Sequence, residues 1–161
     1  MRWGTLILRL AMLFLLVLTA SPADAQHIVT VTVPSGVSFS VVDVSASTTG
    51  SPTPMRISFS NAIGFKGSNK LKISVQADSS TFAGPGTTRI AVSKVSWTAT
   101  ASPGSASNGT LTSTSYTQVY QSPARPTSGS VDLNWTLASI AAAGLRAGTH
   151  TLTVRWKFEA F

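Results

Sequence analysis

Apolar and polar residues alternate along much of the chain after residue 26. That period of two puts successive side chains on opposite faces of a strand. In His27-Ile-Val-Thr-Val-Thr-Val33, Val29, Val31 and Val33 share one face, and Thr30 and Thr32 the other. Val37-Ser-Phe-Ser-Val41 repeats the pattern. Val42 and Val44 then change parity, as at a β-bulge or where a strand changes sheets. Ile57-Ser-Phe59 predicts a short strand, and Leu71-Lys-Ile-Ser-Val-Gln-Ala77 a longer one. Between residues 89 and 99, Ile90 and Val92 share one parity and Val95, Trp97 and Ala99 the other. Residues 111–120 are more polar and read as an edge strand or two short ones. Val131-Asp-Leu-Asn-Trp-Thr-Leu137 and Thr149-His-Thr-Leu-Thr-Val-Arg-Trp-Lys-Phe158 alternate most cleanly.

Turn signals separate these runs, among them Pro34-Ser-Gly36, Gly50-Ser-Pro-Thr-Pro54 and Gly84-Pro-Gly86. About eight strands joined by polar loops predict an all-β, antiparallel, immunoglobulin-like sandwich. Residues 138–143 have helical propensity, limited to a turn or two by Gly144. Trp97, Trp135 and Trp156 share parity with apolar neighbours, which makes them candidates for the core between two sheets. A transmembrane barrel fits poorly. Leu152, Val154, Trp156 and Phe158 share one parity, whereas Phe161 falls on the other, beside Arg155, Lys157 and Glu159.

The amino terminus is different in kind. Basic Arg2 and Arg9 precede the apolar run Leu10-Ala-Met-Leu-Phe-Leu-Leu-Val-Leu18, and Ser21-Pro22 and Ala23-Asp-Ala25 follow. This is the layout of a cleaved signal peptide over residues 1–25. The apolar run is shorter than the roughly 20 residues that cross a bilayer. The expected mature chain is one domain over residues 26–161, exported to the periplasm, the cell surface or the medium, with no membrane span after cleavage. It contains no cysteine, so no disulfide can staple it. That suits a bacterial envelope protein better than a small disulfide-rich secreted scaffold.

Removing Arg2, Arg9 and Asp24 with the leader leaves ten Lys/Arg against four Asp/Glu. Most of these cations stand singly, and only Lys66, Lys70 and Lys72 cluster. The pattern fits a solvated surface and not a nucleic-acid site. Catalytic chemistry is poorly provided for. Asp43, Asp78, Asp132 and Glu159 are far apart, and His27 and His150 have no neighbouring cysteine or carboxylate. There is no Gly-x-Ser-x-Gly elbow and no phosphate loop, so neither an enzyme nor a cofactor is expected. Tyr116 and Tyr120 lie four apart on a polar stretch. On one strand they would share a face, as a platform for a sugar ring.

The two ends carry the most information. Gly148 stands fourteenth from Phe161, and Leu152, Val154, Trp156 and Phe158 occupy alternate positions after it. This resembles the carboxy-terminal pattern of chaperone–usher pilus subunits, in which a periplasmic chaperone pairs with such a strand. The alternating start, with Val29, Val31 and Val33, resembles their donor strand. The penultimate residue of that family is usually aromatic, and here it is Ala160, with Phe161 displaced by one. The central region, from Leu71 to the Gly148-Thr-His-Thr-Leu152 hairpin, also resembles secreted bacterial immunoglobulin-like proteins of uncharacterised function. These resemblances imply a non-enzymatic structural or adhesive module. It could be a strand-exchanging, pilus-like subunit whose partners are other envelope proteins or copies of itself. A carbohydrate-binding module using Tyr116 and Tyr120 is the alternative. The same alternation serves a strand that completes its own sheet and one that completes a neighbour's.

The leader generates the first prediction. The mass of the exported protein should correspond to a chain starting at Gln26, and recovery of an intact Met1 from the envelope would refute the cleavage site.

Overall fold

A computed structural model describes residues 27–140 and 145–161. The predicted leader, and residues 141–143 of the predicted helical turn with the Gly144 that limits it, lie outside the described residues; Ala138–Ile140 are not helical. The strands are β1 (Ile28–Thr32), β2 (Thr48–Thr49), β3 (Met55–Ile63), β4 (Leu71–Ala77) and β5 (Val95–Ser102), followed by β6 (Ser105–Ala106), β7 (Gly109–Thr110), β8 (Thr117–Gln121), β9 (Gly129–Leu137) and β10 (Val154–Ala160). They form two antiparallel sheets packed as a sandwich. One runs β1-β3-β9-β5-β7, with β2 pairing β9 in line with β3, and the other runs β10-β4-β8-β6. No helix among the described residues is long and apolar enough to cross a membrane.

Alternation explains the central strands directly. Val131, Leu133, Trp135 and Leu137 of β9 point inward and are buried, as are Leu71, Ile73, Val75 and Ala77 of β4. Each large aliphatic side chain so buried contributes about 1.5–3 kcal/mol. Trp97 and Trp135 are direct cross-strand partners, with ring centroids 5.1 Å apart and a 54° tilt. The Trp97 indole N–H donates to the Ser107 carbonyl at 2.8 Å, and that of Trp135 to the Met55 sulfur at 3.3 Å. Both indoles therefore enter the core with their polar atom satisfied.

Local irregularities account for each change of parity. A single 3-10 turn (Val92–Lys94) separates Ile90 and Val92 from the opposite phase of β5. Val37-Ser-Phe-Ser-Val41, expected as a strand, makes one isolated bridge, Ser38 to Ser51, and continues the edge of β1 as an arm. The arm ends in a turn where the Asp43 carboxylate accepts from the Ser45 amide and hydroxyl, leaving Val42 fully exposed.

In β8, Tyr120 pairs with Ile73 but Gln118 with Ser74, so Val119 is an extra residue. This bulge reverses the facing of the strand on either side of it. Tyr120 is 0% exposed, its ring tilted against Phe59 at 5.6 Å and its hydroxyl donating to the Pro103 carbonyl at 2.7 Å. Tyr116 is 40% exposed on the outer face. The two tyrosines expected to share a face do not.

Among the described residues, the strands alternate between the two sheets along one flank. From β5 to β8 the chain alternates between them, whereas on the other flank β1 pairs only with β3 and β10 only with β4.

Burial pushes the Tyr120 phenol up to about 12. A raised folded pKa means stability that is intact below the ordinary value near 10 and lost as pH climbs towards 12. Tyr120→Phe should cost about 1 kcal/mol at pH 7 through the lost hydrogen bond. It should also abolish about 2–3 kcal/mol of the alkaline loss between pH 10 and 12. Parallel pH dependence of the urea midpoint in both proteins would show that the phenol titrates normally.

Candidate functional site

The flank between β1 and β10 carries a large concavity. Along the edge of the first sheet, Val33 and then Val37, Phe39 and Val41 of the arm turn their side chains inward, half-buried. Gly50 lies beneath this arm, where any Cβ would run into the Val37 side chain. Along the edge of the second sheet stand Leu152, Val154 and Trp156, also half-buried. Between the two banks opens a groove of about 1060 Å³, floored by core residues that include Met55, Trp135 and Leu137. Phe82, Ile90 and Leu111 extend the floor, and residues 145–151 wall one end.

Two loops clasp each other at that end. Thr151 and Ala83 exchange backbone hydrogen bonds of 2.7 and 2.8 Å. The His150 ring packs directly on Gly84, and the Arg89 guanidinium donates to the Gly84 carbonyl. The His150 Nε2 lies 3.1 Å from the Arg146 carbonyl, while its buried Nδ1 has no hydrogen-bond partner. Gly148 adopts φ +141°, and a Cβ there would sit 2.8 Å from Pro85 Cγ.

The groove is apolar in its chemistry, and no carboxylate lines it among the described residues. The carboxylates are engaged elsewhere. Asp132 receives both Arg56 Nε and Nη2 at 2.7 Å, across β3 and β9. Those hydrogen bonds hold the Asp132 carboxyl below its usual range. Asp78 pairs with Arg155. Glu159 lies 2.7 Å from Lys157 and 3.1 Å from Lys72, and hydrogen bonds from these two lysines likewise lower its pKa. Asp43 is lowered by the Ser45 hydroxyl and amide. No group of three or more His, Asp or Glu residues gathers among the described residues.

The sequence-predicted residues fall into four sets, one of which is Tyr120 alone, buried in the core. Val33, Gly148, Leu152, Val154 and Trp156 line the groove. Val29 and Val31 face the same way from β1, and Phe158 from β10, all packed against the core. The two terminal stretches thus form opposite banks of one groove, with β1 hydrogen-bonded to β3 of its own sheet. Tyr116 stands apart on the outer face, under the Lys157 ammonium at 5.6 Å from its ring centroid. Sequence reasoning placed Ile90 on a strand face with Val92 but missed the floor residues Phe82 and Leu111. The only signal of these two is a single large apolar side chain in an otherwise polar segment.

Gly148→Ala should combine a strained backbone with the Pro85 clash and cost about 1–3 kcal/mol. The denaturant midpoint measures it, and an unchanged midpoint would mean that the clasp yields freely.

Comparison with protein-family models, with curated proteins and with solved structures finds no match for this chain.

Proposed function

We propose that this chain is an exported, non-enzymatic interaction module of immunoglobulin-like topology that accepts an extended strand from a partner. The observation that carries the reading is the apolar groove between two unpaired strand edges. The sheet order β1-β3-β9-β5 corresponds to A-B-E-D of an immunoglobulin domain, and β4 and β10 to C and F. A complete sandwich places a further strand, G, beside F. Here the outer edge of β10 has no strand beside it among the described residues. The resemblance of the last strand to chaperone–usher pilus subunits points the same way. Burial of Tyr120 removes half of the proposed sugar platform, leaving the carbohydrate reading with Tyr116 alone.

Strand addition supplies what the groove lacks. Its main-chain groups satisfy the free edge, and its alternate side chains fill the apolar space. The bank from Leu152 to Trp156 is five residues long, about 16 Å at roughly 3.3 Å per residue. The acceptor therefore suits a segment with three alternating apolar side chains.

The test uses the mature chain and a soluble peptide of alternating valine and threonine. The chain alone should be monomeric. Peptide binding should protect the β10 amides from hydrogen exchange, and Trp156→Glu should abolish it. Absence of protection along β10 at saturating peptide would refute strand acceptance.

A further inference from the structure

We infer that the strand filling this groove belongs to a different protein with acidic side chains at its outward positions, and not to a second copy of this chain. The inference rests on the strand-acceptor reading and specifies its partner.

The chain's own alternating segment is already in use. β1 pairs with β3 over Ile28 to Thr32, and its inward valines pack on the core of its own sandwich. Donating it to a neighbour would open a second edge on the donor.

Charge supplies the second argument. A strand added beside β10 brings its outward side chains level with Arg155 and Lys157, at the spacing of cross-strand pairs. Arg146 stands at the mouth of the groove. Arg155 is balanced by Asp78, whereas Glu159 is shared between Lys157 and Lys72. With Arg146, whose side chain forms no ion pair among the described residues, the edge keeps a net of two positive charges. These are solvent-facing pairs with Arg155 67% and Lys157 47% exposed, so they hold their cations weakly and can share them with an incoming carboxylate. The outward residues of the chain's own segment are Thr30 and Thr32, which answer none of this charge. A second copy also brings the same net positive charge towards itself.

The test compares four peptides on the mature protein by fluorescence anisotropy. Three alternate valine with glutamate, threonine or lysine, and the fourth is residues 26–33 of the chain itself. At low salt the glutamate peptide should bind about tenfold more tightly than the lysine peptide. The gap should narrow at 0.5 M salt, and Arg155→Glu with Lys157→Glu should reverse the order. Equal binding of the three designed peptides overturns the acidic-partner inference and leaves strand acceptance standing. So does tighter binding of the chain's own segment, or a ladder of denaturant-resistant multimers of the mature chain. Failure of every peptide to bind overturns both.

Discussion

Two apolar sheet faces can hide from water only against each other, and here the chain closes their seam on one side. The segment from β5 to β8 passes repeatedly between the sheets, so the Trp97 side of the interior is sealed by covalent connection. The opposite seam depends on whatever stands between β1 and β10. Nothing regular stands there among the described residues. The burial pattern follows. Side chains of β4 and β9 are buried, whereas the inward residues of β1, the arm and β10 are only half-buried. Seven residues of β10 have their ladder on one side alone.

That asymmetry decides what the sequence could reveal. β4, β9 and β10 were legible because uninterrupted alternation is a direct image of a strand with one buried face. The phase change between Val92 and Val95 was visible, and the 3-10 turn is its physical cause. The facing of Tyr116 and Tyr120 was misjudged for the opposite reason. A bulge adds one residue without changing composition, so counting along the chain carries the wrong parity across it. Two-residue strands such as β2, β6 and β7 are too short to have a period at all.

The groove was half legible. Its banks announce themselves through Val33 and through Leu152, Val154 and Trp156, but not the fact that they face each other. That depends on sheet order, which alternation does not encode. Part of its floor was hidden, because Phe82 and Leu111 reach it from segments lacking periodicity. The clasp at its end was hidden too. Gly84 reads as an ordinary turn glycine and Gly148 as the start of the last alternating strand, yet one makes room for the His150 ring and the other meets Pro85 at positive φ.

An exposed strand edge is a hazard as well as a binding site, since any extended chain can pair with it. The groove edge shows how both demands are met by the same residues. Charged side chains along an edge discourage association with like-charged copies. Arg155 and Lys157 stand on β10 for any strand that approaches. Pro34, just beyond β1, withholds a backbone donor from the other bank. Under the proposed strand-acceptor reading, the apolar floor would reward alternation without regard to sequence. The rim charge would then separate partners from copies, with affinity from the floor and selectivity from the rim.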